Sequence, residues 1–370
     1  MPASNLAATI ALWGIALGIV LGFVANKCNF CTMGAVSDIV GMGDWGRMRS
    51  WLLAIAVAMI GTNALAYFGY LDLSKTSYTG NVFPWLAYVV GGACFGVGMT
   101  LASGCGYKTL TRIGNGNLKS LVVFVFFGLA ALMTMKGILG VFRLQVLQIP
   151  AFTLKFDQGQ TLPAVLANLG GLDPVTMQLV TTGVIALALL FFVLKDPGFR
   201  KNFDNALAGL IIGLVVIAGW YVTGHLGLAE NPETLELSYF GTNSRLAESM
   251  SFTGPIGFSI ELLSYWSDTS KIVTFGIGTT LGIAIGSFVY AALSKSFSLE
   301  HFSSTGDLLR HIVGAMLMGF GGVTSTGCTI GQGLTGVSTL SLGSFLTFFS
   351  IVAGAAITMK IQYAMMLRET

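Results

Sequence analysis

The sequence predicts an all-α integral membrane protein of about nine transmembrane helices, arranged as an inverted-topology repeat. Re-entrant or discontinuous helices are expected at two Gly-Cys motifs. Three observations carry this. Of 370 residues, 54% are hydrophobic and only 9% charged, where a soluble domain carries about 25% charge. Apolar runs long enough to cross a bilayer recur along the whole chain, each needing about 20 residues. And Ser103-Gly104-Cys105-Gly106-Tyr107-Lys108-Thr109 is echoed by Thr326-Gly327-Cys328-Thr329-Ile330-Gly331-Gln332, one copy in each half.

In chain order, the expected spans are 6–26, 51–70, 84–102, 118–135, 176–194, 205–224, 271–293, 308–324 and 342–359. The first does not read as a signal peptide: no positive charge precedes it and no small-residue cleavage pattern follows. Its charges come afterwards, at Lys27, Arg47 and Arg49. Spans 84–102 and 308–324 are short or glycine-rich and run directly into the two motifs. Interrupted spans at matching places in two halves are the sequence mark of a transport site. The 49 glycines and 15 methionines suit tightly packed membrane helices.

Nine spans divide as four, one and four. The odd fifth span makes the second group enter from the opposite side, which is an inverted repeat. The chain therefore reads as one membrane transport domain, 1–370. Its first repeat covers about 1–135, a linking region and fifth span about 136–200, and a second repeat about 201–370. Gly18-Ile19-Val20-Leu21-Gly22-Phe23 matches Gly209-Leu210-Ile211-Ile212-Gly213-Leu214 loosely. Cys31 follows the first of these, whereas Tyr221-Val222-Thr223-Gly224 follows the second. The halves are not chemically equivalent. Residues 136–175 and 225–270 are too polar to span, but hold the apolar pieces Ile138 to Leu147 and Phe252 to Leu263. Such pieces suit interfacial or re-entrant helices.

Most of the 19 Lys and Arg residues fall on one predicted face, among them Lys27, Arg47, Arg49, Lys108, Arg112, Lys195, Arg200 and Lys360. The other face carries Lys75, Lys136, Arg143, Lys155, Arg245 and Lys271, together with the long acidic loop. The positive-inside rule then puts the N-terminus outside and the C-terminus in the cytoplasm.

A net charge of +3 spread along the chain gives no reason to expect nucleic acid, and no ATP-binding P-loop is present. Five cysteines, an odd number without regular spacing, do not make a disulfide framework. His225, His301 and His311 lie near no cysteine in sequence, so no metal site is expected. No cofactor is expected either, and the chain does not read as an enzyme.

The cysteines carry what chemistry there is. Cys28-Asn29-Phe30-Cys31 is a Cys-x-x-Cys pattern. It is open to a dithiol redox pair, a metal site, simple packing, or a thiol that touches substrate. Cys94, inside Gly91-Gly92-Ala93-Cys94-Phe95-Gly96, reads as packing in a small-residue span. A break at Cys105 or Cys328 would expose the N–H groups of a second half-helix, and these can hold an anion. A protonated thiol is a weak, polarizable donor, suited to an anion that must be bound lightly enough to leave. Lys108 and Arg112 follow Cys105 on one helical face and read either as anion attractors or as ordinary membrane anchors. Asp38 and Asp44 read as solvated or helix-capping groups. The candidate substrate-contacting residues are Cys31, Cys105 and Cys328, with Gly104, Gly106, Gly327, Thr329 and Gly331 around them.

Three segments resemble the motifs of the YeeE/YedE membrane proteins, a family that includes bacterial thiosulfate importers. They are Phe30-Cys31-Thr32-Met33-Gly34-Ala35, the run from Gly104 to Asn117, and the run from Gly327 to Gly336. The likeness extends over nearly the whole chain in length and order. It implies an inner-membrane fold of nine spans in which Cys31, Cys105 and Cys328 pass thiosulfate from thiol to thiol without breaking it. It also implies a small soluble TusA-like sulfur-transfer protein as a partner on the cytoplasmic side. Cys28 is extra to the pattern, and the long acidic loop departs from it. Two other classes remain open on the residues. One is a membrane thiol oxidoreductase using Cys28 and Cys31; the other is a sulfur-transfer protein forming a persulfide on Cys105 or Cys328.

Overall fold

Long runs of apolar and small residues become the long helices, and the polar breaks between them fold back against the bundle. In the computed structural model, residues 3–231 and 235–369 are described. The order is α1 Ala3–Lys27, α2 Thr32–Met42, α3 Gly46–Tyr67, α4 Trp85–Leu101, α5 Gly106–Gly114, α6 Leu118–Lys136, α7 Ile138–Phe142, α8 Leu162–Gly170, α9 Pro174–Leu194 and α10 Pro197–Lys201. It continues with α11 Phe203–Tyr221, α12 Thr253–Ser264, α13 Phe275–Leu293, α14 Thr305–Thr324 and α15 Leu342–Glu369. Two short antiparallel strand pairs complete the fold: β1 Val82–Phe83 with β2 Leu154–Lys155, and β3 Leu228–Glu230 with β4 Leu237–Tyr239.

Among the described residues, eight helical segments are long and apolar enough to cross a membrane. They coincide with the expected spans except 308–324. That stretch is indeed a helix, α14, but Asp307, Arg310 and His311 at its start and its run of glycines make it less apolar than the other eight.

The helices pair across the two halves of the chain. α1 packs on α13 and α3 on α11; α4 packs on α15 and α6 on α14; α4 and α14 also meet. Glycine makes these approaches possible, because without a side chain two backbones can touch. A Cβ added at Gly22 would sit 2.2 Å from the Ile283 carbonyl oxygen, and one at Gly286 2.0 Å from that of Ile19. The odd span α9 lies outside these pairs. It packs on α3 and α8 and exposes Val180, Val184, Leu187 and Phe191.

Loop contacts define two faces. On one, β1 pairs with β2, Thr76 bridges to Ala247, and Thr161 bridges to Ser341. On the other, Arg49 pairs with Asp196 (2.9 Å), Lys119 with Asp307 (2.7 Å), and Asn117 bridges to Glu300. Between β4 and α13, α12 turns into the bundle against α6 and α13 and buries Thr253, Ile256 and Gly257.

Three helices stop in the same way. α1, α4 and α14 each end at a residue in left-handed backbone: Asn29 (φ 49°), Ser103 (φ 57°) and Thr326 (φ 59°). The next N–H then reaches back five residues. Phe30 donates to the Ala25 carbonyl (3.1 Å), Gly104 to Met99 (2.8 Å) and Gly327 to Gly322 (2.7 Å). This is the Schellman way of closing a helix. In each case a cysteine follows directly and opens the next helical segment. Seventeen residues of α4 rise about 25 Å, less than the roughly 30 Å of hydrocarbon in a bilayer, so α4 alone is short for a complete span.

Candidate functional site

Each cysteine sits where a chain that has just closed one helix begins another. Cys31 is extended (φ −157°, ψ 126°), and its Sγ accepts the Gly34 N–H at 3.4 Å. Cys328 Sγ accepts the Gly331 N–H at 3.4 Å, and its carbonyl accepts the Gln332 N–H at 2.7 Å. Cys105 is likewise extended (φ −77°, ψ 174°) and its carbonyl accepts the Thr109 N–H at 2.9 Å. The thiols thus sit at helix N-termini, where backbone N–H groups and the helix dipole favour negative charge. After Cys328 the backbone widens into a π-turn, Gly331–Gly336, a feature that frequently marks functional sites.

All three cysteines are buried. Cys105 lies within electrostatic range of both Cys31 and Cys328, and its thiol neighbours the Thr329 side chain. Tyr78, on the face of the long loop, lies within range of Cys328 and beside Ser251. On the opposite side Lys108 lies within range of Cys31 and Cys105, and its Nζ donates to Asn29 Oδ1 at 2.7 Å. Tyr78 and Cys105 are thus each close to Cys328, and Lys108 and Cys105 are each close to Cys31.

Of the expected glycines, Gly331 faces the Ser251 hydroxyl, 2.6 Å from where its Cβ would be, and Gly106 faces the Phe127 ring at 2.5 Å. Gly327 lines a cavity on the long-loop side. Gly104 lies against the Lys108 stem, with Arg112 close by. Cys28 is half-buried, close to Lys27 and Asp204. Cys94 packs against Gly321 at the α4–α14 contact.

Several polar atoms in the segments that flank the breaks lack partners. Thr32 Oγ1, Tyr107 Oη, Thr324 Oγ1 and Gln332 Oε1 are buried with no hydrogen-bond partner among the described residues. Leaving such a group unsatisfied costs about 1–3 kcal/mol, so these atoms are open to a polar ligand. Sequence reading overlooked Thr32, Tyr107, Tyr78 and Ser251. A signal existed for two of them, since Thr32 and Tyr107 follow their cysteines by one and two places.

Asp38 departs from expectation. It is buried, not solvated, because α2 folds back so that both its oxygens take the Arg47 guanidinium. Asp44 is exposed and accepts the Gly46 N–H at 2.8 Å, a turn-capping role.

Comparison with known proteins bears on this site. A family model described as sulphur transport matches residues 27–357. The chain is similar to the thiosulfate transporter TsuA of Escherichia coli, with 26% identity over 94% of this chain and 93% of that protein. It is similar to the thiosulfate transporter TsuA of Spirochaeta thermophila at 27% identity, over 93% of this chain and 96% of that protein.

Proposed function

The chain belongs to the sulphur transport family, whose YeeE/YedE motifs its three cysteine segments resemble, and we propose that it imports thiosulfate along those cysteines. That it is a multi-pass membrane protein carrying a sulfur-containing anion follows from the family and the eight apolar helical segments. The finer reading adds the ion, the direction and the path. The observation that carries it is the grouping of three buried cysteines, each following a closed helix, with Cys105 close to Cys31 and Cys328 and beside Thr329 of the other broken helix.

In this reading the anion enters from the long-loop face, meets Cys328 first, crosses to Cys105 and leaves past Cys31 and Lys108. The sulfonate oxygens take backbone N–H groups at the half-helix starts. The terminal sulfur takes thiol hydrogens, which bind it weakly enough to let go. No bond to sulfur forms or breaks.

The exchanged helix partners (α1 with α13, α3 with α11, α4 with α15, α6 with α14) support an inverted repeat of about 1–135 and 201–370, joined by the linking region and α9. Its pseudo-two-fold axis would pass where α4 meets α14. It would leave the Cys105 break nearer one face and the Cys328 break nearer the other. The basic face is cytoplasmic in a bacterial inner membrane, the N-terminus is outside, and a TusA-like protein receives the ion.

Uptake of radiolabelled thiosulfate into cells lacking other importers tests the reading. Expression of this chain should produce saturable uptake that unlabelled thiosulfate suppresses more strongly than sulfate or selenite. Uptake no greater than in cells without it would refute the proposal.

A further inference from the structure

On the long-loop face a cavity of about 270 Å³ ends against Thr326 and Gly327, immediately before Cys328. Tyr78, Ser251, Glu248 and Arg143 also line it. Arg143 comes from a wide π-turn directly after α7, in the region between the two repeats. Its Nε is buried and has no hydrogen-bond partner among the described residues. No described carboxylate lies within ion-pair distance of its guanidinium, whereas Arg47 and Arg49 are each paired. Glu248, the acid in the same cavity, is turned to the Ser244 N–H (3.0 Å) and hydroxyl. Burial lowers the Arg143 pKa from its usual value, but a guanidinium stays charged in proteins.

A half-buried arginine with unspent donors in a cavity that ends at a thiol is built for an anion. We propose that Arg143 is the docking residue that first holds the sulfur oxyanion and aims it at Cys328. The guanidinium fork matches two sulfonate oxygens at once. With that end held, the terminal sulfur is free to lead toward the Cys328 thiol past Thr326 and Gly327. The fork recognises the sulfonate end only, so sulfate docks there too, and discrimination falls to the thiols beyond. This rests on the transport reading above and adds to it the residue that captures the ion.

The test is the concentration dependence of initial thiosulfate uptake by proteoliposomes of the wild type, Arg143→Lys and Arg143→Met, with sulfate as inhibitor. Arg143→Met should raise KM about tenfold or more, the usual scale for losing a charge-assisted contact, and leave Vmax within about twofold. The Ki for sulfate should rise with it. Arg143→Lys, which keeps the charge and loses the fork, should fall between. An unchanged KM in Arg143→Met, or a fall in Vmax alone, overturns the docking site while transport stands. If Arg143→Met does not reach the membrane, Arg143→Lys decides: a raised KM supports the site and an unchanged one overturns it. Absence of uptake by the wild type would remove both proposals together.

Discussion

Ser103 and Thr326 hold the same left-handed backbone, φ 57° and 59°, each two residues before a buried thiol. Neither is glycine, the residue that adopts this conformation without strain. For an L-residue the conformation costs roughly 1–2 kcal/mol, and Thr326 is β-branched, which makes it a clear outlier. Ser103→Gly should therefore raise the thermal midpoint of the purified protein, and Ser103→Val should lower it. Thr326→Gly should behave differently. It removes the hydroxyl that accepts the Gln332 side-chain N–H at 2.7 Å and lines the cavity, so it should slow uptake even where the fold survives. Equal midpoints for Ser103→Gly and Ser103→Val would show that the left-handed turn carries no strain.

Cys28 is half-buried, whereas Cys31, Cys105 and Cys328 are buried, and the thiols that act on Cys105 are Cys31 and Cys328. Cys28→Ser should retain most transport, whereas Cys31→Ser should lose it. If the two variants were equally inactive, a dithiol mechanism through Cys28 and Cys31 would gain ground. Intact-mass measurement after exposure to thiosulfate separates the alternatives: unchanged mass for passage, loss of two hydrogens for a disulfide, added sulfur for a persulfide.

Orientation is accessible to labelling. Glu236 and Arg200 are both exposed and lie on opposite faces in the proposed topology. A membrane-impermeant thiol reagent applied to intact cells should modify Glu236→Cys and spare Arg200→Cys. The reverse pattern would invert the topology and, with it, the direction of the path.

Glu261 links α12, which forms one wall of the cavity, to the helices beside it. Lys136 Nζ lies 2.8 Å from both carboxylate oxygens, and Lys271 donates to Oε1. Burial works to raise this carboxyl, but the two ammonium groups outweigh it and hold the pKa below its ordinary value of 4.5. A depressed folded-state pKa gives a stabilisation that is fully present above the unfolded value and fades as pH falls through the lower one. The wild-type thermal midpoint should thus drop as pH falls below about 4.5. Glu261→Gln should start lower at neutral pH and change less. Parallel curves for the two proteins would assign the acid sensitivity to other groups.

The helices were legible because a bilayer demands a length and an apolarity that few other contexts do. The two breaks were legible because Gly104-Cys105 and Gly327-Cys328 interrupt otherwise continuous apolar runs. What stops the helices was not legible. The left-handed residues are Asn29, Ser103 and Thr326, and only asparagine is a usual choice there. Arg143 read as one more charge on the long-loop face. Its position in the cavity depends on where α12 and the loop around Glu248 pack, and no local pattern encodes that. Asp38 read as a solvated or helix-capping group because sequence spacing does not show that its carboxylate meets Arg47.

The central claim is that the anion passes the Cys328 and Cys105 thiols in turn. The most direct measurement is initial uptake of radiolabelled thiosulfate by proteoliposomes holding equal amounts of wild type, Cys105→Ala or Cys328→Ala. Each substitution removes a donor from a buried site, a loss of about 1–3 kcal/mol. Each should therefore reduce uptake by about fivefold to over a hundredfold, with Cys94→Ala near the wild-type rate. Near-normal uptake by both Cys105→Ala and Cys328→Ala would contradict the thiol path.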